Sequence, residues 1–128
     1  MPTIREMSET PPLVLYGIPN CDTVKKARAW LTTAGVAHAF HDFRKDGVPA
    51  KAVDRWLDSV GAEALINRRG TTWRRLTEAQ QAQAGTADGV RQLVQAEPSV
   101  IKRPLVDWGG AVTVGFDPDA WTRRIKSR

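Results

Sequence analysis

Hydrophobic positions change period several times along the chain, and each change predicts an element. Residues 13–16 form a short apolar run bounded by Gly17, Pro19 and Asn20, which reads as a buried strand. From Thr23 the spacing lengthens: Val24, Ala27, Trp30, Leu31 and Ala34 recur at helical intervals, with Lys25, Lys26 and Arg28 on the other faces. Gly35 is a natural stop. Residues 36–43 alternate loosely as a second strand, which the Asp46-Gly47 turn signal in "RKDG" closes. Strand, helix and strand within about thirty residues make a βαβ unit, so these two strands are expected to be parallel.

The middle of the chain keeps helical spacing. Pro49 suits a first helical position, and Val53, Trp56, Leu57 and Val60 share one face. "EALINRRGTTWRRL" reads as a short helix running into a glycine turn, residues 77–82 as another short helix capped by Thr77, and residues 87–96 as a third, ended by Glu97-Pro98. Alternation returns at residues 104–108 and 112–116, either side of Gly109-Gly110, a hairpin signal. Asp117-Pro118 caps a closing helix whose apolar side is Ala120, Trp121 and Ile125. The predicted fold class is α/β: a thioredoxin-like βαβ–ββα mixed four-stranded sheet with an all-helical insertion at about residues 48–98. Residues 13–128 form one domain and residues 1–12 a flexible N-terminal tail.

Composition narrows the class. At 128 residues, 41% hydrophobic and 26% charged, the chain can bury a core without a metal or disulfide staple. Its single cysteine, Cys21, cannot form an internal disulfide, which fits a reducing compartment, with the cytoplasm as the default. No apolar run is long enough to cross a bilayer, and the first residues lack the apolar centre of a secretory signal. The net charge of +5 suits either nucleic acid or a small anion. The basic residues come as scattered pairs, with no zinc spacing or RNA-binding motif, which points away from nucleic acid. A monomer is the default.

The candidate chemistry centres on "YGIPNCDTVKKARAW". Cys21 falls between a strand end and a helix start, in a loop that exposes it. The first amides of a helix have no internal partner and carry the positive end of its dipole, so a thiolate there is stabilised. Lys25 adds positive charge in the first turn. Thr23 is read as standing where a CxxC pair would place its resolving cysteine, and as a hydrogen-bond donor to the sulfur. Oxidation of Cys21 must then end in a mixed disulfide with an outside thiol, glutathione or a glutaredoxin-like protein. Asn20 belongs to the same loop and, with Thr23 and Lys25, is expected to contact the substrate or glutathione. His38 and His41 are predicted on opposite faces of a strand and make no metal site. No metal and no tightly bound cofactor are expected, glutathione being a co-substrate. The five tryptophans fall mostly on apolar helix faces and read as packing.

"LYGIPNCDTVKKARAWL", "HDFRKDG", "LINRRGTTWRRL" and "IKRPL", in this order, resemble the arsenate reductase ArsC family, in its Spx/YffB-like branch of single-cysteine proteins. The resemblance spans residues 13–125. It implies a thioredoxin-like fold with a helical insertion and Cys21 as the nucleophile. It also implies a cis bond before Pro104 beside the cysteine loop, with Arg103 facing the sulfur. Arg69, or its neighbour Arg68, would be a second arginine of the site. Guanidinium suits such a place because it stays charged and holds an oxyanion or carboxylate through two hydrogen bonds. Family arsenate reductases carry a third arginine, due near Gly115 or Phe116, and "AVTVGF" has none. That counts against arsenate reduction and favours a larger substrate. The expected function is a glutathione- or glutaredoxin-dependent thiol oxidoreductase. The alternatives are an arsenate reductase and a non-enzymatic Spx-like regulator that binds RNA polymerase.

Overall fold

The structure, a computed structural model, describes residues 13–127; the predicted tail lies outside the described residues. The elements run β1 (Leu13–Gly17), α1 (Asp22–Thr33), β2 (His38–Asp42), α2 (Phe43–Asp46), α3 (Ala50–Leu65), α4 (Thr71–Arg75), α5 (Glu78–Ala82), α6 (Ala87–Ala96), β3 (Leu105–Asp107), β4 (Val112–Val114) and α7 (Pro118–Lys126). Two single 3-10 turns, Gln83–Gly85 and Pro98–Val100, flank α6. The sheet order is β2-β1-β3-β4. β1 pairs parallel with β2, Leu15 opposite Phe40, and antiparallel with β3, Leu15 opposite Val106. β3 and β4 form the antiparallel hairpin, Val106 opposite Thr113. This is the thioredoxin-like α/β arrangement that the element order predicted.

Strand alternation divides the core into two layers. Leu13, Leu15 and Val106 face α1 and α7, where they meet Val24, Ala27, Leu31 and Trp121. Tyr16 and Leu105 face the insertion, where they meet Phe43, Val53, Trp56, Val90 and Leu93. Both faces of the sheet are covered, so β1 reads as continuously apolar rather than alternating. Trp56, Trp108 and Trp121 are buried, and the tryptophans pack edge-on to other rings, Trp108 on Trp121 at 5.2 Å and Trp56 on Tyr16 at 4.9 Å.

Element boundaries differ from the sequence pattern where a side chain overrides it. The second strand ends at Asp42 because that carboxylate accepts hydrogen bonds from Arg44 and Lys45 N–H and starts a helical turn, so "RKDG" is helical up to Gly47. Pro49 is the cap of α3 rather than its first residue. Helix α3 is broken at Gly61, whose φ of 80° is non-helical. Thr77 and Gln80 form a reciprocal capping box at α5. Gly109 and Gly110, both at positive φ, turn the hairpin while the Asp107 carboxylate accepts their N–H groups.

One pairing ties the insertion to the sheet close to the cysteine loop. After α3 the chain runs antiparallel to the segment preceding β3. Asn67 N–H donates to Val100 O at 2.7 Å, Lys102 N–H donates to Leu65 O at 2.8 Å, and Ile66 and Ile101 form the bridge between them. Both isoleucines are buried.

Candidate active site

β1 ends in the loop Gly17-Ile18-Pro19-Asn20-Cys21. Ile18 is buried and anchors it, whereas Pro19 and Asn20 are exposed. Helix α1 begins at Asp22, one residue earlier than its apolar period predicts, because a carboxylate in the first turn complements the helix dipole. Cys21 therefore is the cap residue itself, with extended φ and ψ of −96° and 124°. Its carbonyl accepts the first helical bond, from Lys25 N–H at 2.9 Å.

The sulfur is half-buried, and among the described residues it is the free cysteine. Partial burial pushes its pKa up. Hydrogen bonding from Val24 N–H, hydrogen bonding and charge from the Arg103 guanidinium, and hydrogen bonding from Thr23 N–H together outweigh burial, and the thiol titrates below its ordinary value. By geometry the Cys21 side chain makes no cap hydrogen bond to the first turn, so the Val24 and Thr23 amides act on the sulfur chiefly through the charge that they stabilise.

Arg103 reaches the sulfur from the segment just before β3. Its Nη1 donates to Ser99 O at 2.7 Å and, at the long limit of 3.5 Å, to Ile101 O, which fixes one edge of the fork. Its Nε–H is buried with no partner. A donor is thus left unsatisfied on a guanidinium beside the thiol. The bond from Arg103 to Pro104 is cis, as the family resemblance implied, and Pro104 is buried.

The other predicted residues are placed differently. Thr23 and Lys25 are exposed on the first turn of α1, and Thr23 meets the sulfur through its main-chain N–H. The expectation that Thr23 takes the resolving position of a CxxC pair is off by one. The fourth residue of that frame is Val24, which is wholly buried against the sheet. The conclusion that no internal partner thiol exists is unchanged. Arg68 and Arg69 line, with Lys102, a cleft of which Cys21 is not a lining residue. Lys102 was missed in the sequence, where it reads as one more exposed cation of a basic pair. His38 and His41 spend a ring nitrogen each on main-chain oxygens, of Val36 at 2.9 Å and Gly47 at 2.7 Å. Among the described residues no three His, Cys, Asp or Glu side chains group as a metal site requires, and no helix there is long and apolar enough to cross a membrane.

Known proteins resemble the chain over nearly its whole length. It is 45% identical to the solved structure of a YffB protein, with a TM-score of 0.81 over 87% of this chain and 96% of that one. An uncharacterized protein of Haemophilus influenzae is 36% identical over 105 residues, 82% of this chain and 91% of its own. The global transcriptional regulator Spx of Streptococcus agalactiae serotype V is 25% identical over 84% of this chain and 78% of its own. The model of the ArsC family matches residues 16–124, which take in the cysteine loop, the insertion and the cis-proline, and the chain belongs to the ArsC family.

Proposed function

We propose that the protein is a thiol oxidoreductase whose reductant is glutathione or a glutaredoxin-like protein, with Cys21 as the nucleophile. The observation that carries this reading is the placing of the one cysteine against two helix-start amides and the Arg103 guanidinium, donors that favour its thiolate. The thiolate is the attacking species, so a lowered pKa raises the reactive fraction near neutral pH.

The reaction follows from the absence of a second thiol in the chain. The Cys21 thiolate attacks one sulfur of an external disulfide, for instance a glutathione mixed disulfide. A new S–S bond forms to Cys21, the old one breaks, and the other sulfur leaves as a thiolate. An external thiolate then attacks the Cys21 mixed disulfide, Cys21 departs as thiolate, and the two external thiols end as a disulfide. Both electrons come from outside the chain. The Arg103 guanidinium, whose buried Nε–H has no hydrogen-bond partner, favours the thiolate over the neutral thiol by charge and hydrogen bonding.

Mass spectrometry of Cys21 after exposure to oxidised glutathione tests this. The expected result is a single glutathione adduct, absent in Cys21→Ser and formed several-fold more slowly in Arg103→Ala. An ordinary alkylation midpoint near about 8.5 together with no adduct would sink the proposal.

Similarity to Spx favours a second reading, a regulator that binds RNA polymerase. Against it stands Val24 at the position where a CxxC switch needs sulfur. Retention of RNA polymerase by the immobilised protein, unaffected by Cys21→Ser, is what that reading requires.

A further inference from the structure

The end of α3 and Lys102 enclose an open cleft of about 420 Å³ whose charged lining is Glu63, Arg68, Arg69 and Lys102. Among the described residues none of its three cations is paired with a carboxylate; the ion pairs there join Arg55 to Asp107 and Arg91 to Asp54 and Asp88. The cations are held in place by other means. The Arg68 guanidinium lies over the Trp73 ring, 5.2 Å from its centroid. The Arg69 main chain is pinned by its N–H to Asn67 Oδ1 at 3.1 Å and by its carbonyl, which accepts from Arg74 Nη2 at 2.9 Å. The Lys102 stem lies beside Gly115 at packing distance: a Cβ there would stand 3.6 Å from Lys102 Cε.

Volume and charge together narrow the occupant. A cleft of about 420 Å³ matches small-molecule sites, which start at about 300 Å³, and an inorganic oxyanion would leave most of it to water. Three cations face one carboxylate, so a net anion fits. Glu63 on the same wall favours an occupant that also carries an ammonium group. Lys102 and Arg103 are consecutive, with Cα atoms about 3.8 Å apart, so one short segment supplies both the cleft and the cation beside the thiol. An extended tripeptide, at about 3.5 Å per residue, covers a span of roughly 10 Å.

We propose that this cleft binds the α-amino-acid end of a γ-glutamyl thiol peptide, its carboxylate on Arg68 and Lys102 and its ammonium at Glu63. The assignment rests on the thiol oxidoreductase reading, because the sulfur of the same peptide is the one delivered to Cys21. It adds to that reading the groups that select the co-substrate.

Calorimetric titration of the full chain with S-methylglutathione, which has no free thiol, reads the cleft without the chemistry. The expected result is saturable binding that survives Cys21→Ser and Lys102→Arg. It weakens about three- to fivefold in Arg68→Ala and in Lys102→Ala, in keeping with partly exposed ion pairs. Glu63→Gln weakens S-methylglutathione but tightens inorganic phosphate, which has no ammonium. The assignment is overturned if the Arg68→Ala/Lys102→Ala double variant binds S-methylglutathione like wild type. It is also overturned if phosphate competes as well as the peptide, the mark of a general anion site. A Cys21 glutathione adduct that forms at the wild-type rate in the double variant removes the cleft and leaves the thiol reading standing. Binding of S-methylglutathione to wild type with no Cys21 adduct removes the thiol reading and supports the cleft.

Discussion

Gly17 closes β1 against the first turn of α1, and replacing it tests whether that contact sets the thiol. A Cβ built on Gly17 would stand 2.8 Å from Val24 Cγ2 and 3.3 Å from Cγ1. Carbon–carbon contacts are comfortable from about 3.5 Å, so roughly 0.7 Å must be found between strand and helix. Val24 cannot turn away, because a helical valine has essentially one rotamer and this one is wholly buried. Gly17→Ala should therefore destabilise by about 1–3 kcal/mol, the usual range for overpacking. The displaced residue is also one whose N–H faces the Cys21 sulfur, so the alkylation midpoint of Cys21 should move up. Urea unfolding and pH-dependent alkylation of Gly17→Ala, Val24→Ala and the double variant form a cycle. In the Val24→Ala background the obstructing methyls are gone, and Gly17→Ala should cost little. The reasoning fails if the two changes add to within about 0.5 kcal/mol, since uncoupled residues behave that way.

Other substitutions probe separate links. Gly89→Ala should destabilise by at least about 2 kcal/mol in urea unfolding, against helix propensity, because a Cβ there would lie 2.0 Å from the Gln83 carbonyl oxygen; Gly85→Ala meets nothing within 4 Å and should be neutral or slightly stabilising. Thr77→Ala should lose about 1 kcal/mol by the same measurement, through the broken capping box of α5. The Cys21 thiol titrates lower in the folded than in the unfolded chain, so between the two pKa values the unfolded chain holds more protons. Stability should rise with pH across that window, be complete above the unfolded value of about 8.5, and be lost as pH falls through the folded one; Cys21→Ser should flatten this part of the profile.

What was legible in the sequence is what repeats at short range. Val24, Ala27 and Leu31 mark the buried face of α1 by spacing alone, and the Gly109-Gly110 turn marks the hairpin. The change of period at the junction of β1 and α1 puts Cys21 at a helix start from the sequence alone. The shape of the site depends instead on a contact between segments some thirty-five residues apart, which no period reveals. The strand-like pairing of Ile66 with Ile101 holds Leu65–Asn67 against Val100–Lys102. From the sequence, Arg69 belonged with the thiol and Lys102 belonged to solvent. In the structure Arg103 is set beside the sulfur, and Arg68, Arg69 and Lys102 line a cleft.

That pairing assigns the insertion a role in the chemistry. Arg103 has no helix or strand of its own: it lies between the 3-10 turn Pro98–Val100 and β3, and its Nη1 is fixed on Ser99 O, within that turn. The turn is held in place by the Asn67 and Lys102 main-chain bonds to the end of α3, and α3 in turn is held by Val53, Trp56 and Leu65 buried in the larger core. Rigid, packed elements therefore position the guanidinium, whereas the cysteine is positioned by β1 and α1 in the other layer. Thiol and arginine meet only when both layers are docked on the sheet. Loosening the insertion, for instance at Ile66, should raise the Cys21 alkylation midpoint toward that of Arg103→Ala without touching either residue. If Ile66→Ala lowers stability but leaves that midpoint unchanged, the insertion is a cover for the sheet and not the support of the site.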